Sequence, residues 1–231
     1  HLPQADRLMR LLIINPNSSR DMTRTIQKAA RRFAGDSLAV DCAATPGAPP
    51  FIETYEDQLR AAPGMIRLLR ENESSHDGFV VACHCDPNLD ALKEITAKPV
   101  VGIGEASMKL ATLLGHRFAV LSASAHSVPN KEALIRKYHL QDLGFVIAPA
   151  KGARGSLEEK LLRTARTAVA EKGAEVLVLG CAGWAGLDRR LQKALKAPVL
   201  DGVVCALIMV AGLVRYGVST SKIGRYNPLP E

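Results

Sequence analysis

The chain repeats itself. Gly78-Phe-Val-Val-Ala-Cys83 is followed by Leu89-Asp90 and then by Lys98-Pro99-Val100, and Glu175-Val-Leu-Val-Leu-Gly-Cys181 is followed by Leu187-Asp188 and Ala197-Pro198-Val199. Counted from each cysteine, Leu-Asp falls at +6 and +7 in both frames, while Pro-Val falls at +16 in the first and +17 in the second. A duplicated α/β half with one thiol at the same corner of each copy leaves this trace. Each cysteine also ends a short continuous apolar run, the pattern of a parallel strand covered on both faces.

Other segments fit the same two rounds. Arg10–Asn15 reads as a buried strand ended by Pro16-Asn17-Ser18, and Ser18 or Ser19 can cap a helix with apolar residues Met22, Ile26, Ala30 and Phe33. A strand is expected over Ser37–Cys42, then a helix over 53–71 broken or kinked near Pro63, the strand Phe79–Cys83, a helix over Asn88–Ile95, and a strand at Val100. The pattern restarts with a strand at Arg117–Leu121 running into Ser122-Ala-Ser124, and a further strand at Phe145–Ala148. Ser156 with Glu159 forms a capping box for a helix through Glu171, Val176–Leu179 carries the second cysteine strand, and Val203–Tyr216 reads as a long apolar helix. The fold class is therefore α/β: two pseudo-symmetric α/β/α half-domains, each with a mainly parallel sheet and right-handed crossovers. Ligands in such sheets gather beyond the carboxyl ends of the strands, which is where both frames deliver their cysteine.

Composition narrows the function. A formal charge of +7 invites a nucleic-acid reading, but the basic residues spread over helices and aromatics make up only 4%, too few for a stacking platform. No apolar run reaches the roughly 18 residues a membrane span needs. Five scattered cysteines, an odd number, imply reduced thiols and a cytoplasmic protein. Met9 is a plausible natural start, so residues 1–8 read as an extension outside the fold.

A buried cysteine often serves only as a small hydrophobe; two in equivalent frames argue for chemistry. A thiol near a helix N-terminus feels the positive end of the helix dipole, which favours the thiolate. The N–H groups after each cysteine, His84 to Asp86 and Ala182 to Trp184, read as free donors for a carbonyl or carboxylate. Two facing thiols, one charged and one protonated, could remove an α-proton from one face of a carbon and return one to the other, with fixed donors on the enolate oxygen. No cofactor is needed where the α-proton is already acid, as in a cyclic imide. Cys83-His84-Cys85 invites a metal reading, but no second Cys or His pair stands at metal spacing, so no metal is expected. Asp90 and Asp188 read as serving the helices they open, His126 as a loop histidine, and Trp184 equally as a pocket wall or a packing anchor.

These residues resemble those of the aspartate/glutamate/hydantoin racemase superfamily, closest to hydantoin and allantoin racemases, over nearly everything from Met9 onward. Leu12-Ile-Ile-Asn15-Pro-Asn17-Ser18 is similar to the opening strand and loop of that family, Ile52-Glu53 to the end of a Gly-Pro-x-x-Ile-Glu segment, and Cys83 with Asp86-Pro87 to the first cysteine motif. Pro99-Val-Val-Gly-Ile-Gly-Glu105-Ala resembles the following strand, and Ser127-Val-Pro129 a stretch of the second half. Gly180-Cys181-Ala182-Gly183 with Asp201-Gly202-Val203 resembles the second cysteine motif, and Thr220-Ser221-Lys222 the family tail.

The resemblance implies that Cys83 and Cys181 are acid/base thiols in a cleft between the halves. It implies substrate contacts from Asn15, Asn17, Ser18, His84, Cys85, Ser122, Ala123, Ala182, Gly183 and Trp184. It also implies that the final helix returns to the first half, so that 9–102 plus about 208–231 form one half and 103–207 the other. The expected activity is cofactor-independent racemisation of a 5-substituted hydantoin or allantoin by a homo-oligomer, with a small-molecule substrate as its partner. The chain departs from the family at His84-Cys85, Ala48-Pro-Pro-Phe51, Ser122-Ala123, His126 and Trp184. Those departures leave room for a divergent isomerase, decarboxylase or carbon–carbon lyase working through the same enolate. A metabolite-binding protein that kept the cleft without the chemistry is the non-enzymatic alternative.

Overall fold

The computed structural model describes residues 8–227. The first round runs β1 (Arg10–Asn15), α1 (Arg20–Ala34), β2 (Ala39–Ala44), α2 (Tyr55–Asn72), β3 (Gly78–Val81), α3 (Leu89–Ile95) and β4 (Val100–Gly102). Helix α4 (Ile103–Leu114) leads to β5 (Phe118–Leu121), α5 (Val128–Lys137), β6 (Gly144–Ile147), α6 (Leu157–Lys172), β7 (Val176–Leu179), α7 (Asp188–Leu195), β8 (Val199–Leu200) and α8 (Gly202–Tyr216). The strands form two four-stranded sheets of identical plan, β2-β1-β3-β4 and β6-β5-β7-β8, with every pairing parallel. Strands β3 and β7 therefore hold equivalent inner positions, and each points its carboxyl end at the loop that carries a cysteine.

Alternate residues of each strand serve opposite faces. On the first sheet, Leu11, Ile13 and Val80 pack with Ile26 and Ala30 of α1 and with Val203, Ala206, Leu207 and Val210 of α8. Leu12, Ile14, Phe79 and Val81 face the other way, onto α2 and α3 through Met65, Leu69, Leu89 and Leu92. In the second sheet, Ala119, Leu121, Leu177 and Leu179 meet α6 and α7, while Phe118, Val120, Val176 and Val178 meet α4 and α5. Helix α4 belongs to both halves: Ile103 and Ala106 join the first-sheet core, Met108 and Ala111 the second. The last helix lies on the first sheet, and beyond it Lys222 Nζ donates to the carbonyls of Lys93 (2.7 Å) and Glu94 (2.8 Å) at the end of α3.

Several local expectations shift. Ser19, not Ser18, caps α1, accepting from the Met22 N–H at 3.2 Å. Phe33 is exposed, because α1 turns Ile26, Ala29, Ala30 and Ala34 inward. The second strand spans Ala39–Ala44, two residues later than expected. Helix α2 runs through Pro63 without a break; the carbonyl that Pro63 leaves unpaired belongs to the exposed Leu59, within reach of water. The Pro99–Ala106 run, expected to be a strand, ends its strand at Gly102 and enters α4 at Ile103. Pro129 falls in the first turn of α5, where its missing N–H costs nothing. Among the described residues, no helix is long and apolar enough to cross a membrane.

Candidate active site

A cavity of about 410 Å³ opens where the two sheets turn their carboxyl edges, a size suited to a small molecule. Cys83 and Cys181 both line it, one from each half. Asn17, His84 and Cys85 join them from the first half, and Ala123 and Ala182 from the second.

The other expected substrate contacts lie outside the lining, each for a visible reason. Asn15 is fully buried and spends its amide on Asn17 Oδ1 (2.8 Å) and Thr23 Oγ1 (2.9 Å), so it fixes Asn17. Ser18 is exposed, with its N–H on the Pro49 carbonyl at 3.0 Å. The buried Ser122 hydroxyl lies 2.6 Å from Ser127 Oγ and donates to the Ser124 carbonyl at 3.0 Å, which shapes the loop of the second half. Trp184 is a packing anchor, 6% exposed in the core with Leu121 and Leu179. Gly183 lies beside Cys181: a Cβ there would sit 3.6 Å from the sulfur.

The loops after the cysteines differ from expectation. Cys83 does not meet a helix N-terminus directly, whereas Cys181 is the N-cap of a short 3-10 helix. Cys83 enters a loop in which Asp86 and Asn88 take positive φ (45° and 58°), and Cys181 enters a short 3-10 turn over Ala182–Trp184. Two of the N–H groups expected to be free are used inside the loops, Asp86 on the Cys83 carbonyl (2.9 Å) and Trp184 on the Cys181 carbonyl (3.1 Å).

The two thiols are electrostatically unequal. The Cys85 thiol, 3.3 Å from the Cys83 sulfur, hydrogen-bonds it and holds the Cys83 pKa below the ordinary thiol value against the cost of burial. The same contact, with burial, pushes Cys85 well up. Burial pushes Cys181 up, partly offset by the Gly183 N–H, and negative charge on Cys83 raises it further. Cys42 and Cys205 are pushed up to about 12 by burial. The site thus prefers a thiolate at Cys83 and a thiol at Cys181.

Two buried carboxylates hold the cysteine loops in place, and they do so in opposite directions. Asp86, in the first cysteine loop, accepts from the N–H groups of Gly104 (2.9 Å) and Glu105 (2.6 Å) at the start of α4 and from Tyr138 Oη (2.7 Å). A Cβ on Gly102 would come within 2.2 Å of Asp86 Oδ1, so only glycine permits this approach. In the second half, Asp201 caps α8 through the Val203 N–H (2.9 Å) and reaches back to the Gly186 N–H (2.8 Å) of the second cysteine loop. Asp90 ties α3 to α5 instead of serving its own helix, pairing with Lys137 Nζ at 2.5 Å and accepting from Tyr226 Oη at 2.7 Å.

His84 is 1% exposed, and burial holds its pKa well below the ordinary value, so the ring is neutral. Ser107 Oγ donates to the Ile103 carbonyl (2.7 Å) and lies 3.3 Å from His84 Nε2; this makes Nε2 the protonated nitrogen and leaves Nδ1 an unpartnered acceptor. Among the described residues, no group of three or more His, Cys, Asp or Glu side chains converges to hold a metal ion.

The cavity also draws in residues that the motifs did not mark as contacts: Glu53 at its rim, His126 and Ser124 from the loop after β5, and Asn130 and Lys131 from α5. Asn130 and Lys131 carry no motif, and the stretch between Pro129 and Phe145 gives no element in the sequence reading, where the structure has α5.

The comparisons agree with this geometry. Over 226 residues the chain is 35% identical to a hydantoin racemase of Rhizobium meliloti, covering 94% of each protein. The allantoin racemase of Klebsiella pneumoniae superposes with a TM-score of 0.90 at 33% identity, over 96% of this chain and 95% of that one. The allantoin racemase of Pseudomonas fluorescens also gives a TM-score of 0.90, at 30% identity over 96% of this chain and 98% of that one. Residues 11–210 match the family model described as Asp/Glu/Hydantoin racemase. The chain thus belongs to the Asp/Glu/hydantoin racemase family, as an isomerase with one thiol of each half in a shared cavity.

Proposed function

We propose that this protein is a cofactor-independent racemase of a 5-substituted hydantoin or of allantoin, and that Cys83 and Cys181 exchange the α-proton. The observation that carries the reading is the placement of the two thiols in one cavity, one held down in pKa and the other pushed up. The similarity to hydantoin and allantoin racemases supports the substrate class.

In the resting site Cys83 is the thiolate. It takes the α-proton from one face of the bound ring: the C–H bond breaks, the S–H bond forms, and the electron pair moves onto the adjacent carbonyl oxygen as an enolate. Cys181 then gives its proton to the opposite face, and the pair returns to carbon. The other enantiomer runs the same steps in reverse. The cyclic imide helps, because the imide carbonyl next to the reacting carbon acidifies the proton before the enzyme acts.

The test is to incubate one enantiomer with enzyme in deuterated water, following optical rotation and α-deuterium together. Loss of rotation coupled to deuterium uptake supports the reading. No exchange with hydantoins or allantoin removes it.

A further inference from the structure

Lys131 is 7% exposed, yet it has no ion pair and no hydrogen bond among the described residues. A cation partly shielded from water and without a counter-ion attracts an anion. The residue sits on α5 and lines the cavity, and its ammonium is not among the sealed, unpartnered polar atoms; it meets solvent there. The stem crosses the backbone beside the second thiol, since a Cβ on Gly180 would come within 3.1 Å of Lys131 Cε. Its positive charge acts on Cys83, Cys85 and Cys181 alike, lowering each. Glu53, the carboxylate at the rim, makes no ion pair with it.

We propose that Lys131 is a further catalytic residue, the fixed counter-charge to the single negative charge that moves through the cavity during turnover. This rests on the racemase reading above. At rest the charge is on Cys83; after the first proton transfer it is on the enolate oxygen; after the second it is on Cys181. Each transfer breaks one bond to hydrogen and forms another, with no oxidation or reduction. One ammonium facing the same cavity offsets this charge at each position, and no new charge is created at any step. It also supplies the enolate oxygen with a donor, which matters because two of the loop N–H groups are already used.

The test has two arms. In the first, without substrate, the alkylation of Cys83 by iodoacetamide is followed by mass spectrometry across pH in the wild type, Lys131→Met and Lys131→Arg. Methionine keeps an apolar stem of similar length, and circular dichroism checks the fold. Lys131→Met should alkylate about tenfold more slowly at neutral pH, the equivalent of one pKa unit, and Lys131→Arg should restore most of the rate. In the second arm, with a hydantoin or allantoin, Lys131→Met should lower kcat by on the order of 10²-fold with KM little changed, as for loss of a single oxyanion donor. An unchanged alkylation profile overturns the proposal. So does a loss confined to KM with acidic substrates, which would make Lys131 a receptor for a substrate carboxylate. If the wild type turns over no hydantoin, the racemase reading fails by itself, and the alkylation arm still decides whether Lys131 pairs with the thiolate.

Discussion

The sulfurs of Cys83 and Cys85 lie 3.3 Å apart, a contact that lowers the Cys83 pKa with Cys85 as the donor. The donor therefore comes from a side chain two residues further along the same loop, and it acts on the thiol proposed to start the reaction.

Cys85→Ala removes that donor. The Cys83 pKa should rise, leaving less thiolate at neutral pH, so racemisation at pH 7 should fall about tenfold for every pH unit by which the thiol becomes less acidic. Activity should recover as the pH is raised. A pH–rate profile of the variant reads this directly, and an unchanged profile would show that the contact does not set the thiolate.

Replacing either cavity cysteine by serine should cost on the order of 10³-fold or more in racemisation, since general acid–base groups contribute at this scale. Exchange at one face should survive, because each thiol serves one enantiomer. Proton NMR in deuterated water, run separately on each enantiomer, distinguishes this half-reaction from complete loss.

The pH dependence of kcat/KM should be bell-shaped. Activity needs Cys83 ionised and Cys181 protonated. The rising limb belongs to Cys83, below the ordinary thiol value, and the falling limb to Cys181, above it. A plateau spanning the ordinary thiol pKa is the expected result; a single limb centred there would contradict the unequal thiols.

Asp86→Ala should destabilise the protein by about 3 kcal/mol, because it strands the N–H groups of Gly104 and Glu105 and the Tyr138 hydroxyl. Burial pushes the Asp86 pKa up to about 6 from 3.8. Between those values the folded state binds the extra proton, so the contribution of this carboxyl to stability is greatest at low pH and declines as pH rises from about 4 to 6. Urea denaturation at pH 4 and pH 7, wild type against Asp86→Asn, measures the difference.

The sequence announced the halves through their cysteine frames, because two parallel strands with the same exit leave the same apolar run before each thiol. The sheets, their helices and the common cavity followed from that. What it concealed lay at turns in the chain. Gly102-Ile103 continues an apolar run that could equally extend a strand, and only the capture of the Gly104 and Glu105 N–H groups by Asp86 ends it. Lys131 was hidden because no motif marks it and α5 itself was not read from the sequence. Asn15 and Ser122 were legible as site residues only by motif, and Trp184 read equally as pocket wall or packing anchor; all three side chains serve the frame around the cavity.

The seat of α8 has a consequence for biosynthesis. One face of the first sheet is covered only in part, by α1, until Gly202–Tyr216 leaves the ribosome. The first sheet therefore cannot mature as it emerges, and closing it demands contacts between segments far apart in sequence, which slows acquisition of the native state. A nascent chain stalled before Gly202 presents Leu11, Ile13 and Val80 as a sticky apolar surface, and this is where a chaperone would engage it.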